Sequence, residues 1–167
     1  MKVEEYLHAI ADIDPDQIAY IDETGMDTCL YREYAYAPRG EEVIAQIYGR
    51  KYKRTSIVAA QIGKEIIAPL QYDGTMDSSL FEHWFEQLFL PSLLLGAAIV
   101  MDNAAFHRRS HLIPLAQNAG HLLIFLPPYS PELNPIEKYW SWLKRNLRKI
   151  LPQYESFDAA LSACFQV

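Results

Sequence analysis

The segment at residues 126–140 constrains the fold of this chain more than any other part. It reads LPPYSPELNPIEKYW and contains four prolines. It follows an apolar run at residues 122–126, which predicts a buried strand, and it leads into a helical pattern. That pattern predicts a helix whose apolar stripe packs on a sheet; the stripe consists of Ile136, Tyr139, Trp140, Leu143, Leu147 and Ile150. The junction therefore presents one carboxylate, Glu137, where a helix begins beside a sheet.

Two further acids follow apolar, β-branched runs. Asp22 lies in YIDETG at residues 20–25, and Asp102 lies in IVMDNAAFH at residues 99–107. Each run predicts a strand that delivers its acid to a sheet edge, so we expect Asp22, Asp102 and Glu137 to converge. Clustered carboxylates repel one another unless they hold a hard divalent cation such as Mg²⁺ or Mn²⁺. The chemistry expected of such a site is phosphoryl transfer with two metal ions.

Each acid also has a purely structural interpretation. Asn134 can be the N-cap of the last long helix, with Glu137 as the acid of a capping box. Asp22 can polarise a turn before Gly25, and Asp102 can start an Asx turn after its strand. Spacing alone does not exclude these roles for any single acid. The combination of three acids at the ends of elements favours a functional site.

The three motifs together are similar to a known family. YIDETG, IVMDNAAFH and LPPYSPELNPIEKYWSWLK resemble, in order and spacing, the catalytic domain of mariner-like DDE transposases, in particular those of bacterial insertion sequences. The likeness covers residues 17–150, and 34 residues lie between Asp102 and Glu137. The resemblance implies a ribonuclease-H-like fold. It also implies that Asp22, Asp102 and Glu137 are the catalytic residues and the ligands of two Mg²⁺ or Mn²⁺ ions.

Other residues near the acids are expected to support the site. In the family, the run that contains Asn103 and His107 lies beside the active site, and His107 is expected to orient a phosphate or a water, or to make a structural hydrogen bond. Asn134 is expected to be a helix cap. Glu23 should face away from Asp22, because neighbouring residues of a strand point to opposite faces.

The activity implied by the resemblance is cleavage of phosphodiester bonds at transposon ends, followed by strand transfer into target DNA. Two alternatives stay open: a ribonuclease-H-like structure-selective nuclease or resolvase, and a catalytically idle truncated domain that acts as a dimerisation or inhibitory module. The implied partners are DNA and a second copy of the chain. Only about 16 residues precede the first predicted strand, so we expect no N-terminal helix-turn-helix domain here. Either an upstream frame encodes the DNA-binding part or the chain is a truncated copy.

The charge of the chain is unusual for a nucleic-acid enzyme. The formal net charge is −6, but eight of the acids lie within residues 1–27 beside a single base. The bases elsewhere are clustered, which is typical of a DNA contact or of an ordinary solvated surface. One group is Arg50, Lys51, Lys53 and Arg54. The predicted DNA-binding residues are Arg108, Arg109, Lys138, Lys144, Arg145, Arg148 and Lys149.

The predicted elements form one α/β domain with a mixed five-stranded sheet flanked by helices. We expect a core at residues 17–150 and a C-terminal helix at about 155–166. The predicted strands are residues 17–24, 28–36, 54–62, 65–70, 97–101 and 122–126, with a turn at Gly25 between the first two. Helices are predicted at 77–90 and 108–119. No secretory signal or membrane span is visible, which favours a bacterial cytoplasmic protein.

Overall fold

A computed structural model describes residues 2–27 and 54–165 of the chain. Within these residues the strands form one five-stranded sheet in the order β3-β2-β1-β4-β5. Their bounds are Ile18–Asp27 (β1), Arg54–Ile62 (β2), Glu65–Asp73 (β3), Ala98–Met101 (β4) and Leu122–Phe125 (β5). Strands β1, β2 and β3 pair antiparallel, whereas β4 pairs parallel with both β1 and β5. The predicted mixed α/β sheet is confirmed.

Helices cover both faces of this sheet. They are Val3–Ile10 (α1), Ser78–Trp84 (α2), Arg109–Asn118 (α3), Ile136–Ile150 (α4) and Phe157–Cys164 (α5). One face carries Ile21 and Ile99 and is buried under α2 and α3. The other face is buried in two parts, since α4 and α5 cover Ala59, while α1 covers Val100. On this second face, the part covered by α1 adjoins the part covered by α4. Asp22 and Asp102 lie near this boundary.

Local chemistry explains where helix α2 begins and how strands β2 and β3 are joined. Asp77 caps α2, because its Oδ1 accepts a hydrogen bond of 2.8 Å from the backbone N–H of Leu80. The chain then continues through a π-helical turn at Phe85–Phe89, so the helix predicted for residues 77–90 is confirmed. Gly63 has a φ of +56° in the turn between β2 and β3. Glycine adopts this left-handed conformation without a steric penalty.

The turn predicted at Gly25 is wrong. Strand β1 continues to Asp27, because β2 pairs with it along its whole second half, up to Asp27 opposite Arg54. Asp22 therefore lies inside a strand and not at its end. The predicted strand at residues 28–36 and the bases Arg50, Lys51 and Lys53 lie outside the described residues.

The first helix, α1, is absent from the predicted elements. It packs Tyr6, which is 1% exposed, against the sheet beside Ile18 and Val100. None of the helices in residues 2–27 and 54–165 is long and apolar enough to cross a membrane.

Candidate active site

The register of two parallel strands places Asp22 beside Asp102. Strands β1 and β4 pair through Ile18 with Ala98 and through Tyr20 with Val100. Continued by two residues, the same register sets Asp22 level with Asp102, which directly follows β4. Neighbouring strands lie about 4.8 Å apart, and residues two apart share a face. Both acids therefore leave the sheet on the face of Val100, which α1 and α4 cover.

Glu137 reaches the same place from α4. It lies in the first turn of the helix, whose buried residues Ile136 and Trp140 pack on that face of the sheet. Asp22, Asp102 and Glu137 all line one cavity of about 410 Å³, and residues 126–131 form much of its wall. Three acids that are far apart in the sequence thus meet at one cavity.

The electrostatics of Asp22 reflect these neighbours. Its pKa is raised from 3.8 to about 7, first by burial and then by the negative charges of Glu137 and Asp102. Hydrogen bonds from the backbone of Glu23 and from Trp140 act in the opposite direction. A partly buried carboxyl group beside two others ionises less readily than a free one. A nearby cation would therefore stabilise the ionised form of Asp22.

Asp22 is held in place by a tryptophan that sequence reasoning assigns only to the core. The indole Nε1 of Trp140 donates a hydrogen bond of 3.0 Å to Asp22 Oδ2. Trp140 is 2% exposed, so the core assignment is confirmed, but the polar role is additional. Trp140 and Glu137 are three residues apart on α4 and share a helix face. This spacing is the sequence signal that points Trp140 toward the acids.

Asp102 is held by residues of its own loop. Its Oδ1 lies 2.9 Å from Nδ1 of His107 and accepts a hydrogen bond of 3.2 Å from the backbone N–H of Ala104. The second bond is the predicted Asx turn. His107 is 8% exposed, and its contact is the main reason that the pKa of Asp102 lies below its usual range. His107 thus fixes the orientation of Asp102.

The bases that follow Asp102 are engaged with other protein groups. Arg108 binds both carboxylate oxygens of Glu82, at 2.7 and 2.6 Å. Arg109 donates to Asn103 Oδ1 at 2.9 Å and lies 4.1 Å from the ring centre of Phe125. Asn103 therefore links the loop of Asp102 to α3. DNA contact by Arg108 requires it to share or leave Glu82, so its predicted role stays a prediction.

The bases of α4 are more accessible. Four of the five predicted DNA-binding residues on this helix are exposed and Lys144 is partly buried; the exposed ones are Lys138, Arg145, Arg148 and Lys149. Lys138, Trp142 and Arg145 recur at helical spacing and lie on one face. Trp142 is 41% exposed. This face begins beside Glu137 and continues away from the cavity.

The predicted capping roles of Asn134 and Glu137 are wrong. Pro135 occupies the N-cap position of α4, and no side chain caps the helix. Asn134 is buried and instead donates a hydrogen bond of 3.1 Å from Nδ2 to the backbone oxygen of Ile21. This bond ties residues 126–135, the proline-rich segment, to the residue before Asp22. Glu137 therefore has no structural role as a helix cap, which leaves the functional interpretation of this residue.

Glu23 faces away from Asp22, as its position in the strand predicts. Its Oε2 accepts a hydrogen bond of 3.0 Å from the hydroxyl of Tyr72 in β3, whereas Asp22 meets α4. Burial is the main reason that the pKa of Glu23 is raised. Glu23 is therefore absent from the wall of the cavity.

The carboxylates at the cavity are the type of oxygen ligand that hard divalent cations take. Within residues 2–27 and 54–165, no group of three or more aspartate, glutamate, histidine or cysteine side chains is arranged so that it could hold a metal ion by itself. Mg²⁺ usually keeps several waters and takes only one or two carboxylates directly, so it does not require a closed protein cage. The raised pKa of Asp22 has the same origin, since the two neighbouring carboxylates help to cause it, and a cation at this cavity would offset their repulsion.

Comparisons with known proteins agree with this geometry. A family model described as "DDE superfamily endonuclease" matches residues 17–159. The structure resembles that of the Mos1 strand transfer complex with a TM-score of 0.69 and 13% identity, over 97% of this chain and 56% of that chain. The mariner Mos1 paired end complex with Mg gives a TM-score of 0.65 and 13% identity, over 98% of this chain and 57% of that one. The ribonuclease-H-like fold is confirmed.

A curated relative covers less of the chain. It is an uncharacterized protein named y4pE/y4sA from Sinorhizobium fredii (strain NBRC 101917 / NGR234), 37% identical over 51 residues. These residues are 30% of this chain and 35% of the relative. The chain therefore spans about a third of this relative and somewhat more than half of the Mos1 chains.

Proposed function

Because this chain belongs to the DDE superfamily of endonucleases, we propose that it is the catalytic domain of a DNA transposase. In this proposal it cleaves phosphodiester bonds at transposon ends and joins the freed 3′ ends to target DNA. The observation that carries the proposal is the meeting of Asp22, Asp102 and Glu137 at one cavity. Strand β1, the loop after β4 and helix α4 each contribute one of these acids.

The family implies the use of a divalent metal, and the proposed cofactor is two Mg²⁺ or Mn²⁺ ions. Asp22 and Asp102 would hold one ion, and Glu137 with one of these two would hold the other. Bound there, the ions would supply a more acidic water and neutralise charge on the phosphate. Solved Mos1 complexes with Mg and with Mn support this choice of ions.

The protein's own residues would supply positioning. Trp140 fixes Asp22 from α4, and His107 fixes Asp102 from its loop. Asn134 links the proline-rich wall to β1. Rigid placement of reacting groups lowers the entropic part of the barrier, so these contacts would raise the rate of the reaction.

The proposed partners are DNA and a second copy of the chain. The accessible bases of α4, together with Arg109 and the Asn103 that it contacts, would bind the phosphate backbone. A helix-turn-helix part encoded upstream would recognise the transposon ends. The last two partners, the second copy and the upstream part, follow from the family resemblance. Salt would weaken binding, because phosphate contacts release counterions.

Cleavage of DNA in the presence of Mg²⁺ or Mn²⁺ tests the proposed activity. We expect the purified protein to nick DNA with either ion and to be inactive in EDTA. Asp102→Asn should lose the activity, because the amide keeps the shape of Asp102 but removes its charge. The matched control is Glu132→Gln, since Glu132 is an exposed acid in the proline-rich segment and does not line the cavity.

The substrate of the reaction separates the proposal from its rivals. A transposase is expected to join a precut 3′ end to target DNA, whereas a resolvase or structure-selective nuclease would cut branched DNA without joining. Equal nicking by the Asp102→Asn and wild-type proteins, each free of contaminating nuclease, would contradict the proposed site. Tight binding without any metal-dependent reaction would support the idle module instead.

Replacement of His107 tests the positioning of Asp102. Loss of a residue that orients a metal ligand typically costs about 10–100-fold in activity or metal affinity. We therefore expect His107→Ala to lower the cleavage rate by about 10–100-fold and to raise the Mn²⁺ concentration needed for half-maximal activity.

His107→Asn is the conservative variant, because its amide N–H can take the place of Nδ1. It should recover part of both losses. An unchanged Mn²⁺ dependence in His107→Ala would show that His107 serves only the packing of the loop.

A further inference from the structure

Tyr129 stands out on the rim of the acidic cavity. Its exposed fraction is 101%, the largest of any large apolar or aromatic residue that the structure describes. It lines the same cavity as Asp22, Asp102 and Glu137. Aromatic side chains usually bury most of their surface, so a fully exposed ring at a cavity needs an explanation.

The backbone at Tyr129 is also unusual. Its φ is +57°, and within residues 2–27 and 54–165 only Ala68 shares a positive φ among residues other than glycine. Side chains of L-residues are crowded in this conformation, which persists only where the surroundings impose it. Strained backbone of this kind is concentrated at functional sites. Tyr129 thus adopts a backbone conformation that a glycine would adopt with less strain.

The flanking residues impose this conformation. Two prolines precede Tyr129, and Pro127 is buried. Ser130 is 8% exposed and donates a hydrogen bond of 3.3 Å from its hydroxyl to the backbone oxygen of Pro128. Pro131 then starts a short 3₁₀ turn. The chain is thus anchored on both sides of Tyr129, while the ring itself is left in solvent.

The same segment is anchored to the backbone beside two of the acids. The N–H of Leu126 donates to the backbone oxygen of Met101 at 2.8 Å, next to Asp102. Asn134 donates to the backbone oxygen of Ile21 at 3.1 Å, next to Asp22. The position of Tyr129 relative to the acids is therefore set by the protein before any ligand binds.

We propose that Tyr129 is a stacking platform for one unpaired nucleobase adjacent to the phosphodiester that the acids attack. The inference rests on the proposed function and adds a binding residue to it. Nucleobases stack on aromatic side chains with little dependence on sequence. A base held on Tyr129 would place the neighbouring phosphate at the cavity, and a strand that is locally unpaired there would be the preferred ligand.

The test uses a short DNA duplex with a single-stranded 3′ overhang that carries 2-aminopurine, whose fluorescence is quenched by stacking. Binding is measured with Ca²⁺ in place of Mg²⁺, so that cleavage is not required for the signal. Wild-type protein and Tyr129→Phe are expected to quench the probe. Tyr129→Ala should remove the quenching and weaken binding by about 5–150-fold, the range for loss of one stacked base. Tyr154→Ala is the matched control, since Tyr154 is 41% exposed and lies outside this cavity.

A second variant separates stacking from folding. Glycine adopts a positive φ freely, so Tyr129→Gly should melt at the same temperature as the wild type or higher, and yet lose the quenching. Quenching by Tyr129→Ala or Tyr129→Gly equal to that of the wild type would overturn the proposal. The proposal would also be overturned if Tyr129→Phe lost the quenching or if the wild type did not bind the probe. It would be overturned as well if Tyr129→Ala lost as much affinity for a fully paired duplex as for the overhang.

The proposed function and the stacking site can be rejected independently of each other. If the wild-type protein quenches the probe through Tyr129 but never cleaves DNA with Mg²⁺ or Mn²⁺, the stacking site stands and the transposase activity does not. If it cleaves DNA and quenching is independent of Tyr129, the stacking site alone is rejected.

Discussion

Glu137→Gln is expected to lower metal-dependent DNA cleavage by at least about a thousandfold while leaving the melting temperature nearly unchanged. A metal ion contributes several kcal/mol of transition-state stabilisation, and each 1.36 kcal/mol changes the rate about tenfold. The fold should tolerate the change, because Glu137 is exposed and its side chain caps no helix. Single-turnover cleavage and thermal melting of the same preparation check both parts.

The control for this variant is Glu132→Gln, which removes an acid outside the cavity. It should cleave at the wild-type rate. A fall in cleavage by Glu137→Gln that is matched by a fall in melting temperature would assign Glu137 a structural role. Full activity of Glu137→Gln would remove it from the reaction.

Asp22→Asn is expected to stabilise the metal-free protein above about pH 7, although it should abolish cleavage. The pKa of Asp22 is about 7 in the folded protein, whereas an aspartate in the unfolded chain keeps its ordinary value of 3.8. Each unit of difference is worth 1.36 kcal/mol, so ionised Asp22 lowers the free energy of unfolding by up to roughly 4 kcal/mol. Asparagine removes this cost, and its side-chain oxygen can still accept the hydrogen bond from Trp140.

The sign of the pH dependence follows from linkage. The folded state keeps a proton on Asp22 between about pH 4 and pH 7, whereas the unfolded state has released it. Stability from this group therefore falls as the pH rises through that window and stays low above it. Denaturant unfolding in EDTA should show this fall in the wild type relative to Asp22→Asn. Equal curves for the two proteins would contradict the raised pKa.

Metal addition provides the complementary measurement. At pH 8, Mg²⁺ or Mn²⁺ should raise the melting temperature of the wild type, because a ligand that binds only the folded state stabilises it. At pH 5 the effect should be smaller, since protons compete for Asp22. Asp22→Asn should show little response at either pH.

Much of the fold could be predicted from local patterns. The apolar runs before Asp102 and after Gly120, and the helical stripe of α4, are long and regular, so their types and approximate bounds are confirmed. Strand β1 extends past the predicted turn at Gly25 because pairing with β2 outweighs the tendency of glycine to end a strand. Tertiary pairing of this kind is not visible in a short window of sequence.

The candidate site, like the fold, is only partly predictable from local sequence patterns. The motifs indicate which acids to bring together, but they do not indicate what holds each acid in place. The bond from Trp140 to Asp22 joins residues 118 positions apart, and the bond from Asn134 to Ile21 joins residues 113 apart. Local spacing suggested a cap for Asn134, since Asn before Pro is a frequent start of a helix. The partner of Asn134, the backbone oxygen of Ile21, follows only from the packing of α4 on the sheet.

Anomalous X-ray scattering from a crystal of the protein soaked with Mn²⁺ would test the central claim most directly. The expected result is a peak at the cavity, with carboxylate oxygens of Asp22, Asp102 and Glu137 as ligands at about 2.0–2.3 Å, near the distances of hard divalent cations. A peak away from these three residues, or no peak at Mn²⁺ concentrations that support cleavage, would contradict the claim that they share the metal ions of the reaction.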